Sequence, residues 1–257
     1  MDGCAKLKPV AERSQTAAET KLSDQVVCIT GAAGGLGQGL CSEFASQGWK
    51  VVEASHHPSG RVESSRVLPV VLDVLDADAS EHLVRTVVEK WGRIDAWINN
   101  AGVTADSLLS QLSEQDWDRV LDVNLKGAFL CARAVVPTMI RQVGGHIVHV
   151  ASFSARSGPQ GQANYAAAKA GLIGFTQALA REIGPHNVRI NAVLPGVLPT
   201  PMTKNLAPET LEHLARANSL CRLNSVAEVA RFIAFLVSTQ NISGQILQLD
   251  SRIARWT

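Results

Sequence analysis

The sequence predicts a doubly wound α/β fold, a single Rossmann-type parallel sheet of about seven strands flanked by helices on both faces. Three observations predict it. From residue 25 onward, short β-branched runs alternate with stretches of helical period. Most of the strand runs are continuously apolar, as strands covered on both faces must be. Strand–helix–strand repetition of this kind also implies right-handed crossovers in one sheet.

The elements follow in order. Strand 25–30 runs straight into the glycine cluster 31–37, and Leu40, Phe44 and Ala45 give the helix after it an apolar side. Strands at 50–54 and 67–72 come next. Leu83, Val87, Val88 and Trp91 then form one helical stripe. Strands at 96–99, 146–151 and 188–193 follow. Val229, Phe232, Ile233 and Leu236 form a second stripe, and a last strand lies at 245–249. No repeat, low-complexity tract or long linker interrupts this order. Residues 25–257 therefore read as one domain, and 1–24 as a flexible extension.

Composition excludes several classes. The chain has 257 residues and a formal net charge of +1, without the basic footprint of a nucleic-acid binder. Hydrophobic content of 46% argues against disorder. No apolar run approaches the ~18 residues of a membrane span, and the polar start lacks a secretory signal. Five scattered cysteines without a CxxC read as free thiols, Cys28 and Cys131 as buried ones, and point to a reducing cytoplasm.

Gly31, Gly34, Gly35 and Gly37, with Leu36, stand where a strand turns into a helix. Such a turn lets the backbone approach a pyrophosphate, with the N–H groups of the helix start facing it. The end of the second strand selects the dinucleotide. A carboxylate there would favour NAD(H). Here Glu53 lies inside the strand, and the tip reads Ser55-His56-His57 with Arg61 beyond. A neutral or basic tip leaves room for a 2′-phosphate, so NADP(H) is favoured and NAD(H) left open. The two histidines can equally be solvated loop, and no third ligand accompanies them for a metal.

Tyr165, the one tyrosine, opens a helical stretch, and Lys169 stands four residues on, on the same face. Ser152 ends the fifth strand, where a parallel sheet binds ligands. Reduction of a carbonyl by hydride needs a proton donor and a group to hold the oxygen. A phenol with a pKa of about 10 is a poor acid–base catalyst at neutral pH until an ammonium moves it toward working range. A serine hydroxyl can bond the oxygen being reduced.

On these residues the chain resembles the short-chain dehydrogenase/reductase family, over about 25–250. Thr30 and Gly31 through Gly37 match its TGxxxGxG loop, and a TGxxGxxG reading through Gly34 also fits. Asp73 and Val74 match its adenine-contacting pair; Asn99, Asn100, Ala101 and Gly102 match its NNAG motif. The resemblance implies that Ser152, Tyr165 and Lys169 are catalytic, and that Asn124 holds a water-linked proton path to the lysine. It implies that Tyr165, Lys169, Pro195, Gly196 and Thr200 surround the nicotinamide and its ribose, and that the chain forms a homo-oligomer, tetramer or dimer.

The stretches 162–176 and 189–196 are most like bacterial 3-oxoacyl-acyl-carrier-protein reductases. That implies a 3-oxoacyl thioester as the small-molecule substrate, and acyl carrier protein as a candidate partner. Oxidation of a secondary alcohol, sugar or polyol with NAD(P)+ is the alternative, and a non-catalytic dinucleotide sensor a third reading. Three departures stand out. The basic carrier-docking positions read Val143 and His186, the usual Asp-Gly-Gly reads Asp250-Ser251-Arg252, and the shortest relatives lack the N-terminal extension. A substrate lid is expected near 200–220, with Met202, Leu206, Leu211 and Leu214 as an apolar underside or ordinary packing. His146 and His149 read as strand or core residues.

Overall fold

The computed structural model describes residues 24–58, 60–204 and 206–253. The extension expected at 1–24 therefore lies, but for Asp24, outside the described residues. Seven strands form one parallel sheet: β1 (Val26–Thr30), β2 (Lys50–Ser55), β3 (Val67–Val71), β4 (Ala96–Asn99), β5 (Gly145–Val150), β6 (Val188–Leu194) and β7 (Ile246–Gln248). Their order is β3-β2-β1-β4-β5-β6-β7, so the connection reverses direction between β1 and β4. A doubly wound sheet opens its ligand crevice at that switch point.

Alternation along the strands feeds two cores. Val26 and Cys28 of β1 and Trp97 of β4 face α2 (Ala77–Trp91), α4 (Gly127–Gln142) and α5 (Ala163–Ile183). Val27, Ile29, Ala96 and Ile98 face α1 (Gly35–Ser46) and α7 (Val226–Ser238). Successive strand residues point to opposite faces, so continuous apolar runs are what two covered faces demand. Cys28 and Cys131 are both buried in the first core, where burial holds both thiols protonated.

The helices begin and end on local chemistry. Asp76 accepts from Ala79 N at 2.9 Å to start α2, and Gly92 closes it with φ 78°. Ser113 and Ser225 cap α3 (Glu114–Leu121) and α7 through Asp116 N and Glu228 N. A wider π turn, Asp122–Lys126, joins α3 to α4. The whole run Glu114–Gln142 is long and apolar enough, by length and composition, to cross a membrane. Charged residues interrupt the apolar stretch, so the sequence shows no continuous run of that length. In the fold Val120, Leu130, Cys131, Val135 and Met139 are buried as a core helix face.

His146 and His149 lie in β5 without solvent exposure. Asn191 Nδ2 donates to His146 Nε2 at 2.8 Å and to Ile242 O at 2.9 Å, tying β5 to β6 and the turn before β7. His149 Nδ1 meets Thr176 Oγ1 at 3.1 Å, and its ring stacks on Phe175. Because Thr176 already donates to Leu172 O, the hydroxyl must accept here, which puts the proton on His149 Nδ1. Burial, reinforced by nearby cations, lowers both imidazoles to about 3.

An imidazole held neutral in the folded state binds its proton more readily once unfolded. Its contribution is whole above the unfolded value of about 6.5 and is lost as pH falls toward about 3. Urea unfolding between pH 7 and 4.5 should show stability falling by up to about 1.4 kcal/mol per pH unit for each such histidine. His146→Gln should remove one proton's share of that slope; an unchanged slope would mean that other groups drive the acid loss.

Candidate active site

The carboxyl ends of β1 and β4 flank the switch point, and the hydroxyl of Thr30 joins them. It accepts from Asn100 N and Ala101 N, both at 3.1 Å, and donates to Ile98 O at 3.3 Å. Asn100 Nδ2 reaches back to Thr30 O at 3.0 Å and Gly31 O at 3.1 Å. The approach is close enough to require glycine. Gly31 has φ 64°, and a Cβ there would lie 2.8 Å from Ala101 Cα. A Cβ at Gly37 would collide with Gly31 O. Asn100 thus binds the glycine turn through its amide, and Asn99 is buried, accepting from Trp97 Nε1 at 3.0 Å.

No side chain caps α1. Gly34 is its N-cap and donates its own N–H to Gly31 O at 3.0 Å, and Gly35, Leu36 and Gly37 form the first turn, whose N–H groups have no intrahelical acceptor and suit an anion. Across the turn lies the segment after β6. A Cβ at Gly35 would come within 2.7 Å of the Thr200 side chain. Thr200 N donates to Thr203 Oγ1 at 3.1 Å, and Asn224 Nδ2 holds Pro195 O at 3.1 Å. Gly196, with φ 81°, bends the chain between them.

At the tip of β2, Ser55 is buried and its hydroxyl donates to His57 O at 2.7 Å, while His56 stacks edge-on against His57. Glu53, two residues inside, is 4% exposed and paired with Arg61 at 2.8 Å. The carboxylate nearest the tip is therefore neutralised, and so is the arginine that follows it. Asp73 is exposed beyond β3 and accepts from Leu75 N. Val74 packs against Gly127, where a Cβ would lie 2.7 Å away.

Ser152, Tyr165 and Lys169 converge beside β5. Ser152 Oγ donates to Ser154 Oγ at 3.2 Å and accepts from Ser154 N at 3.1 Å, and it lies near enough to the Tyr165 phenol to favour the phenolate. Lys169 is 3% exposed; its ammonium donates to Val150 O at 2.8 Å and stands 5.5 Å from the centre of the Tyr165 ring. Burial lowers the ammonium to about 8. The expected lowering of the phenol by the ammonium is not what the folded site shows: burial pushes it up to about 12, against the pull of the Ser152 hydroxyl and together with the charge of Asp106.

Asn124 sits in the π turn, a form that often marks functional positions. Its Nδ2 donates to Val103 O at 2.8 Å and Val120 O at 2.9 Å. With both amide protons committed, Oδ1 must be the free acceptor, and it is buried with no partner. A Cβ at Gly102 would approach it within 2.6 Å and Lys169 Nζ within 3.5 Å. The orphan acceptor and the ammonium thus flank the same small backbone position.

Sequence reasoning passed over the supports. Asn164 is fully buried, accepts from Tyr165 N at 2.8 Å and donates to Ala105 O at 3.1 Å. Gln162 links Ser154 Oγ, at 2.9 Å, to Asp106 Oδ2, at 2.8 Å. Their signal was present only as a stretch resembling the reductases. In the expected lid, Met202 is 55% and Leu206 37% exposed. Leu211 and Leu214, on α6 (Pro208–Arg216), are half-buried.

The sequence model described as short chain dehydrogenase matches residues 25–211. The 3-oxoacyl-[acyl-carrier-protein] reductase of Thermotoga maritima is 41% identical over 240 residues, 90% of this chain and 98% of the relative. The enzyme of the same name from Synechocystis is 37% identical over 90% of this chain and 97% of its own. The crystal structure of levodione reductase superimposes with a TM-score of 0.84 at 32% identity, covering 89% of this chain and 96% of the other.

The Thr30 junction yields a direct test. Thr30→Val keeps the shape and strands two backbone N–H groups. Urea unfolding should show a loss of about 1–3 kcal/mol; unchanged stability would mean that Asn100 N and Ala101 N find other partners.

Proposed function

The chain belongs to the short chain dehydrogenase family, and from that premise we propose that it reduces a 3-oxoacyl thioester to the secondary alcohol with NADPH. The observation that carries the reading is the convergence of Tyr165, Lys169 and Ser152, with the orphan acceptor of Asn124, at the carboxyl end of the sheet. The relatives named for that reaction supply the substrate class.

The residues fit a nicotinamide dinucleotide. The glycine turn leaves the close approach and open N–H groups that a pyrophosphate needs. Asp73 and Val74 would hold the adenine end, and Ala101, Gly102, Pro195, Gly196 and Thr200 would surround the nicotinamide. The tip of β2 favours NADP(H): Ser55 and His56 offer no carboxylate, and Glu53 is held by Arg61. When bound, the cofactor supplies hydride to the carbonyl carbon.

Each side chain then has a defined task. Ser152 Oγ donates to the carbonyl oxygen as negative charge develops on it. Tyr165 Oη gives up its proton to that oxygen. Burial keeps the phenol protonated beforehand, the form a reductase requires. The phenolate left behind is stabilised by the Lys169 ammonium, which would also hold the nicotinamide ribose. Asn124 Oδ1 accepts from a water that returns protons toward Lys169, satisfying an otherwise stranded atom.

Purified protein should consume NADPH with acetoacetyl thioester. Tyr165→Phe should lower kcat by at least about a hundredfold, with NADPH still bound. Activity surviving that substitution would refute the mechanism, and turnover of alcohols without thioesters would refute the substrate. Fluorescence titration should find NADPH bound about tenfold or more tighter than NADH, since a 2′-phosphate contact of about 1.4 kcal/mol suffices. The reverse order would overturn the reading of the β2 tip.

A further inference from the structure

The chain does not leave the molecule where β7 ends. Gln248 Nε2 donates to Asp250 Oδ1 and to Arg252 O, both at 2.7 Å, and Arg252 N donates to Asp250 Oδ1 at 3.3 Å. Residues 248–252 therefore fold into a hook. The Asp250 side chain is 3% exposed and lies against Gly196, where a Cβ would come within 2.8 Å of its Oδ2.

Arg252 fills the other side of the hook. Its Nε and Nη2 both reach Asp250 Oδ2 at 2.5 Å, and its side chain is 14% exposed. The guanidinium stands 3.7 Å from the centre of the Phe153 ring, the residue next to Ser152. Ser251 O accepts from Ser219 N at 3.0 Å and Ser219 Oγ at 2.9 Å, and Ser251 Oγ accepts from Leu220 N at 3.2 Å. The hook thus touches the segment after β6, the turn after β5 and the end of the lid region. A nearly buried arginine that stacks and pairs at once holds two surfaces at a set distance, and a lysine cannot reproduce that planar fork.

We propose that Arg252 is a positioning residue of this site. It clamps Phe153, and through it the turn that carries Ser152, against the Gly196 segment, while Ser251 ties 218–220 to the same hook. The inference rests on the reading of Ser152 as the group that holds the carbonyl oxygen.

Arg252→Gly and Arg252→Lys test it in the full chain, by hydrogen exchange, NADPH titration and steady-state kinetics with acetoacetyl thioester. In both variants the amides of 152–157 and 218–220 should exchange about tenfold faster while those of 31–38 stay unchanged. kcat should fall about tenfold, with NADPH affinity held within about twofold. In a Ser152→Ala background the same substitutions should lower kcat by less than about twofold more, because the clamp acts through that hydroxyl. Unchanged exchange at both segments, an equal kcat loss in the Ser152→Ala background, or a loss that tracks NADPH affinity would each overturn the proposal. A wild-type protein inactive on thioesters would sink the substrate reading alone, since the exchange pattern decides the clamp without any substrate.

Discussion

The close approach of β1 and β4 at their carboxyl ends is the constraint on which the rest depends. One hydroxyl, Thr30 Oγ1, satisfies two backbone donors from the neighbouring strand end. One amide, Asn100 Nδ2, satisfies two carbonyls of the glycine turn. These bonds bring Gly31 against Ala101 so closely that no side chain fits between them. The same contact opens the start of α1 toward the crevice and sets Gly102 beside Asn124 and Lys169. A looser junction would leave the nucleotide turn and the proton-handling side chains without a common frame.

Burial then sets the chemistry. Lys169 spends one ammonium proton on Val150 O and remains nearly enclosed, which lowers it to about 8. Tyr165 is pushed the other way, to about 12, so the resting site holds a phenol and a cation whose preferences shift together once a phenolate forms. His149 is close enough to feel the Lys169 charge and stays neutral beneath it, bonded to Thr176. The polar groups under the site are thus arranged so that one buried cation serves it without a second nearby. Asn124 Oδ1 and His149 Nε2 are left without partners among these groups, and the former lies beside Gly102 with the Lys169 ammonium.

Much of the fold was legible because strands in a doubly covered sheet write their own pattern. All seven strand runs appear within one or two residues of the expected positions, and the apolar helix stripes pack where their period placed them. The membrane-length character of Glu114–Gln142 was not legible as an apolar run, since charges on its outer face divide it. In the expected lid, Met202 and Leu206 sit at helical spacing and are exposed while Leu211 and Leu214 are half-buried, and sequence spacing does not say which side of a segment meets the core.

The sequence by itself determined what short spacing carries: the strand–helix alternation, the glycine turn, the shared face of Tyr165 and Lys169, and the serine at a strand end. Tertiary structure alone decided the rest. Asn164 holding Ala105 from 59 residues away, Thr30 holding Asn100 from 70, and Arg252 lying on Phe153 leave no periodic trace along the chain. Side-chain period reports only which face a residue occupies. Which groups meet across the crevice depends on strand order and register, and those exist only after the sheet has assembled.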